Sequence, residues 1–308
     1  MTWRPPSVDF VDTSPASRGG LTGAREGSSP ACGGSGPKGR RGDRSLGAIT
    51  LLSVLFALIA ALFAAPASAA LDLNRAAVTR LDNGLTLIVL EEHSRPIVSV
   101  QMLYKVGGRD DPAGRMGLAH FFEHMAFRAS ANFLGTGLVD EIYAVGGEWH
   151  GYTWIDQTTY FATAPASELD LLLRIEADRM GRLAINADDV KAEFGAVLAE
   201  MNLYENDLSS VLFDALLAAH FPVHPYGANT IGYEGDIAAI TKADLDDVYR
   251  RHIRPATGVL AVVGDVSGED VLRRVEILFG KFKGGDEARL PPSAEPKSAA
   301  LRRVSIRS

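Results

Sequence analysis

The chain has 308 residues, of which 46% are hydrophobic and 22% are charged, and its formal net charge is −7. This composition is typical of a folded globular protein and excludes a chain that is disordered throughout. The acidic balance leaves no basic patch of the kind that nucleic-acid-binding domains carry, so we expect no nucleic acid partner.

The first 70 residues differ from the rest. Residues 1–45 are rich in Gly, Ser, Pro and Arg without a hydrophobic period, which predicts a disordered extension. Residues 46–70 hold an apolar run at 46–65, followed by an A-x-A pattern at Ala67-Ser68-Ala69. A basic cluster precedes the run: Lys38, Arg40, Arg41 and Arg44. This order is typical of a secretory signal peptide and predicts a periplasmic or secreted protein.

An uncleaved anchor is the alternative for residues 46–65, because the run approaches the roughly 20 residues that span a bilayer. The protein would then touch the membrane through this segment. Cleavage is favoured by the small residues, and it would leave a domain with a net charge of about −10. It would also remove Cys32, the single cysteine, so any metal ion in the mature domain must bind His and carboxylate side chains.

Strands open the mature domain, predicted over residues 71–283. Asn83-Gly84 lies between alternating apolar residues and predicts a β-hairpin. A loop rich in Gly, at 107–117, leads into a helix with the sequence GLAHFFEHMAF. Further strands are predicted by alternation at 97–106 and, as a pair around a turn near Asp156, at 148–164.

Helices dominate the remainder. They are predicted over 138–144, 166–183, 186–204, 209–221, 241–253 and 269–282, with a loop at 224–232 and a buried strand at 258–266. This order favours the α+β class, with a mixed, largely antiparallel sheet and helices packed on one face. Residues 284–308 are predicted to be a linker, and RRVSIRS at its end resembles the start of a new strand.

The segment HFFEH places His120, Glu123 and His124 on one face of the predicted helix. Leu118, Phe121, Phe122 and Met125 form the opposite, apolar face. The polar face is open to two interpretations: a solvated surface, or a metal site. Histidines at i and i+4 can bind one Zn²⁺, and a glutamate between them can activate a bound water as general base. A catalytic zinc would need a third protein ligand.

The helix at 186–204 offers a third ligand. Glu193 and Glu200 are seven residues apart, so they share one side of the helix, at the edge of an expected buried stripe. The stripe consists of Val190, Phe194, Val197, Met201 and Tyr204. Carboxylates at the edge of a core are costly unless they are paired or bind a metal. Ordinary solvated glutamates are the alternative.

Six segments resemble, in order, the insulinase/pitrilysin family of inverted-motif zinc peptidases, which includes mitochondrial processing peptidase. They are GGRDDPAGRMGLAHFFEHMAF, GGEWHGYTWIDQTTYF, EADRMGRL, EFGAVLAEM, HPYGANTIG and GVLAVVGDV. H-x-x-E-H is the signature of this class. The resemblance covers about residues 74–283 and implies one half of a pitrilysin-type clamshell.

The resemblance also implies roles for single residues. His120, His124 and Glu200 would bind one Zn²⁺ per domain, and Glu123 would activate the water. Glu193 would orient a ligand histidine.

An extended peptide substrate would lie along the segment at 150–153, with contacts from His150, Gly151 and Thr153. Glycine at position 151 permits close backbone approach, although a simple β-bulge there is the alternative. The family usually has asparagine where this chain has His150, so this position departs from the family pattern.

The family pattern includes a second homologous half, which supplies an arginine and a tyrosine to the substrate. This chain has no internal repeat, so we expect a catalytic half that works on a peptide or unfolded protein with a second half or partner chain. The predicted function is a secreted or periplasmic zinc endopeptidase. The alternatives are a zinc-binding, non-catalytic peptide-binding or assembly protein, and an inactive truncated fragment.

Overall fold

The computed structural model of the protein describes residues 72–285, 291–297 and 301–306. The predicted extension and signal segment, residues 1–70, lie outside the described residues. Among the helices of the described ranges, none combines the length and apolar character that a membrane span requires.

Six strands of the described residues form a single sheet in the order β1-β2-β6-β3-β5-β4. The strands are β1 (Ala77–Arg80), β2 (Thr86–Glu91), β3 (Ile97–Tyr104), β4 (Glu148–Thr153), β5 (Thr158–Pro165) and β6 (Gly258–Gly264). β2 and β6 run parallel, and the other neighbouring pairs run antiparallel. The prediction of a mixed, largely antiparallel sheet is therefore confirmed.

The hairpin between β1 and β2 forms where Asn83-Gly84 predicts it. Leu81 N–H donates to Leu85 O over 2.9 Å, and Gly84 N–H donates to Leu81 O over 2.8 Å. Gly84 has φ +91°, a conformation that glycine adopts without the steric cost of a Cβ atom. The turn residue therefore sets the register that pairs Arg80 with Thr86.

Eight α-helices accompany the sheet in the described residues. They are α1 (Leu118–Met125), α2 (Gly137–Ala144), α3 (Leu169–Gly181), α4 (Ala187–Glu205), α5 (Leu208–His220), α6 (Glu234–Ala239), α7 (Lys242–His252) and α8 (Gly268–Phe279). The Asn186 side chain caps α4 by accepting from Asp189 N–H over 2.8 Å. Only α6 was not predicted, because six residues are too few to show a helical period.

The helices cover one face of the sheet, as the sequence predicts. Along β3, buried side chains alternate with partly exposed ones. Val98, Val100 and Met102 are at most 1% exposed, whereas Ser99 and Gln101 on the other face are partly exposed. One face therefore holds the core and the other remains accessible.

Helix α1 lies inside the domain. Seven of its eight residues are buried, and it contacts α4 and α7 as well as strands β4 and β5. The segment with the two histidines is thus surrounded by protein on several sides, and these neighbours define the site described below.

The tail does not continue the sheet. Residues 291–297 and 301–306 contain no helix or strand, so the strand suggested by RRVSIRS is absent from the part that is described. The Glu295 carboxylate instead accepts from the backbone N–H groups of Val223 and His224 over 3.0 and 2.8 Å. A strand needs a neighbouring strand to pair its backbone groups, and residues 301–306 pair with none of the described strands.

Candidate metal centre

The start of α1 is held by residues that the sequence did not single out. The Asp111 carboxylate accepts from Gly117 N–H over 2.8 Å and from Ala119 N–H over 2.9 Å. These contacts satisfy donors at the helix N-terminus. Gly117 has φ +93°, and a Cβ atom there would lie 2.5 Å from Ile231 O. Asp111 could have been found as an acidic residue shortly before a predicted helix.

The side chains of His120 and His124, on α1, meet the side chain of Glu200, on α4. His120 Nε2 lies 3.5 Å from Glu200 Oε2, and His124 Nε2 lies 3.1 Å from the same oxygen. The three potential ligand atoms lie within 4.8 Å of one another. Two ligands at 2.0–2.1 Å from a tetrahedral zinc are about 3.4 Å apart. The arrangement therefore fits a single metal ion, and no other such cluster occurs among the described residues.

Burial excludes the interpretation of HFFEH as a solvated helix face. His120 and Glu123 are each 7% exposed, and so is Glu193 on α4. The stripe on α4 is buried as predicted at Val197 and Met201. Tyr204 is 48% exposed, so the prediction is wrong there: α4 extends beyond the core in its last turn.

His124 lies between two carboxylates. Its Nδ1 is 2.9 Å from Glu193 Oε1, and its Nε2 faces Glu200. Burial lowers the pKa of His124, but the hydrogen bonds to Glu193 and Glu200 outweigh it and raise the pKa to about 9. Hydrogen bonds from His120 and His124 hold the pKa of Glu200 well below its usual range. The site thus favours a cation, and a metal ion would displace the proton from His124.

The outer nitrogens of the two histidines differ in their surroundings. Nδ1 of His124 faces Glu193, whereas Nδ1 of His120 is buried with no hydrogen-bond partner among the described residues. The orientation of His124 is therefore set by a specific contact, and that of His120 by packing.

Glu123 lies beside strand β4. Its Oε2 accepts from Thr153 Oγ1 over 2.7 Å. A Cβ atom at Gly151 would lie 3.0 Å from Glu123 Oε1 and 2.6 Å from Phe127 Cζ, so a larger residue at this position would have to displace the Phe127 ring or the Glu123 carboxylate. Burial raises the pKa of Glu123, against the opposing effects of the His120 charge and the Thr153 hydrogen bond.

Successive side chains of β4 point to opposite faces of the sheet, so the three predicted substrate contacts do not all lie on the same face. Gly151 and Thr153 face α1, whereas the exposed His150 stacks against Phe161 with ring centroids 5.5 Å apart. β4 pairs only with β5 among the described strands, so it is an edge strand. An unpaired strand edge can accept an extended peptide by backbone hydrogen bonding.

Comparison with known proteins identifies the family. Residues 87–234 match the model "Insulinase (Peptidase family M16)", and residues 239–307 match "Peptidase M16 inactive domain". An uncharacterized zinc protease of Mycobacterium leprae is 33% identical over 204 residues, which cover 66% of this chain and 45% of that protein. Zinc protease PqqE of Helicobacter pylori is 31% identical over 232 residues, which cover 73% of this chain and 52% of that protein.

Solved structures agree with the sequence matches. A protease from Helicobacter pylori superposes with a TM-score of 0.68 at 28% identity, covering 72% of this chain and 54% of that one. The first half of the periplasmic protease PqqL from Escherichia coli has the same fold, with a TM-score of 0.67 at 22% identity, covering 73% and 50%. The chain spans about half the length of the curated relatives it matches. With the H-x-x-E-H helix, the six-stranded sheet and both family models in agreement, this chain belongs to peptidase family M16, the insulinase family.

Proposed function

We propose that this domain is the zinc-binding half of a secreted or periplasmic endopeptidase, which hydrolyses peptide bonds with a metal-activated water. The observation that carries the proposal is the position of Glu123. Its buried carboxylate shares one site with the His120, His124 and Glu200 ligand atoms and is hydrogen-bonded to an edge strand.

The residues divide the chemistry among them. His120, His124 and Glu200 would hold the zinc ion, which supplies a Lewis acid for the peptide carbonyl and lowers the pKa of a bound water. Glu123 accepts the proton of the attacking water and returns it to the leaving amine. Burial raises the pKa of Glu123, which makes its carboxylate a better proton acceptor. Glu193 accepts from Nδ1–H of His124 and so directs Nε2 toward the metal.

The substrate would lie extended along β4. The open edge of this strand supplies backbone donors and acceptors, and the missing side chain at Gly151 lets the peptide approach Glu123 closely. His150 and Thr153 flank this position. We therefore propose a peptide or an unfolded protein segment as substrate, since most backbone groups of a folded protein are already paired within its own helices and sheets.

We also propose that a second homologous half, in the same polypeptide or in a partner chain, completes the enzyme. Relatives about twice as long support this, because this chain aligns with about half of each. Location in the periplasm is supported by the likeness to PqqL, which is a periplasmic protease, and by the A-x-A pattern after the apolar run.

Metal removal tests the function of the full chain. We expect about one zinc ion per chain by elemental analysis and, once the second half is supplied in the same polypeptide or by a partner chain, cleavage of a peptide mixture detected by mass spectrometry. A chelator should abolish cleavage and added zinc should restore it, because the site provides all three ligands. Metal-free protein, or cleavage that resists the chelator, would contradict the proposal. Zinc and peptide binding without cleavage when the second half is present would favour the non-catalytic alternative.

Thr153→Val is expected to lower kcat by about tenfold to a hundredfold with little change in KM, because a small displacement of a catalytic group is costly. The variant keeps the side-chain shape but loses the 2.7 Å hydrogen bond to Glu123. Thr153→Ser should keep most of the activity. Thr163→Val is the matched control, because the Thr163 hydroxyl contacts Ser99 on the other face of the sheet. A rise in KM with an unchanged kcat would instead make Thr153 a substrate contact.

A further inference from the structure

Arg128 contacts the carboxylate that orients His124. Its Nε lies 2.7 Å from Glu193 Oε2, and its Nη2 donates to the same oxygen. Arg128 follows the end of α1, whereas Glu193 belongs to α4. The pair therefore connects the helix that carries both histidines with the helix that carries Glu200.

The two oxygens of Glu193 have separate partners. Oε2 faces Arg128 and Oε1 faces Nδ1 of His124, 2.9 Å away. The Glu193 side chain is 9% exposed, and a buried carboxylate without a positive partner is costly. The carboxylate is held at both oxygens, because Arg128 donates two N–H groups to Oε2 while Oε1 faces His124, and a lysine lacks the rigid pair of donors that Arg128 offers.

We propose that Arg128 is a positioning residue of the metal centre: through Glu193 it fixes the orientation of His124. The proposal rests on the proposed function, because it takes His124 as a metal ligand. Without Arg128, Glu193 loses its balancing charge and its fixed plane, and the His124 ring loses the contact that aims Nε2 at the metal.

Zinc affinity of the full chain, measured by competition with a chelating dye, tests this inference without any need for activity. We expect Arg128→Met to bind zinc roughly 10-fold more weakly or worse, in the range that loss of a ligand's hydrogen-bond partner produces. Arg128→Lys should fall between this variant and the unchanged protein. Arg182→Met is the matched control, because Arg182 pairs with another buried carboxylate, Asp178, that does not contact the site.

A second measurement separates orientation from a general loss of structure. In zinc-loaded protein, the Nδ1–H proton of His124 should give a downfield NMR signal that is lost in Arg128→Met and kept in Arg182→Met. Unchanged zinc affinity in Arg128→Met, or an equal loss in Arg182→Met, would overturn the positioning role. Failure of the unchanged chain to bind zinc would instead overturn the proposed function, and the inference with it.

Discussion

Glu123→Gln is expected to abolish detectable peptide cleavage by the enzyme completed with its second half, while bound zinc remains at the level of the unchanged protein. The amide has nearly the same shape as the carboxylate and can still accept from Thr153, so the site keeps its packing. It cannot accept a proton from water, and loss of a general base typically costs about 10²–10⁴ in rate. Zinc content and single-turnover cleavage of one peptide, measured on the same preparation, check both halves of the prediction.

The matched control for this variant is Glu205→Gln. Glu205 ends α4 and is exposed, so the same change of charge is made outside the site. It should leave cleavage unaltered. Unchanged cleavage in Glu123→Gln would rule out this residue as the base, and loss of zinc together with activity would assign it a role in metal binding.

Removal of a proposed metal ligand is expected to cause a large loss of zinc affinity. Loss of a residue that only hydrogen-bonds to a metal ligand weakens metal binding by roughly 10–100-fold. His120→Ala and Glu200→Gln each remove a ligand itself, so each should weaken zinc binding by more than this. His120 Nε2 and His124 Nε2 both face Glu200 Oε2, so either change leaves two protein ligands for the metal. Elemental analysis after dialysis and a competition titration measure the loss.

Two exposed side chains supply the controls for the ligand variants. His220→Ala and Glu205→Gln make the same substitutions away from the cluster, and both should keep full zinc binding. Circular dichroism of every variant verifies that the fold is retained. Full zinc content in both His120→Ala and Glu200→Gln would refute the ligand set.

Local signals in the sequence predicted most of the elements. Asn83-Gly84 marks the hairpin, and Asn186 and Thr241 cap helices where a polar residue precedes a helical period. The strand order was not predictable in this way. β6 comes last in the chain yet lies between β2 and β3, because pairing between distant segments depends on the packing of the whole sheet.

Residues of the candidate site differ in how readily they could be found. His120 and His124 are one helical turn apart, so their shared face follows from the helical period alone. Glu200 is 76 positions from His124 and was suggested by its place beside an apolar stripe and by family resemblance. Arg128 was not found, because an arginine after a helix carries no signal until its partner is known.

The sequence by itself determined the local geometry: which residues form α1, which of them share a face, and which family the motif resembles. Only the tertiary structure decided that this face is buried and that Glu193 and Glu200 meet His124 from a separate helix. It also placed Thr153 against Glu123. The physical reason is that a helical period relates neighbours along one segment, whereas burial and contact between α1, α4 and β4 arise only when these elements pack together.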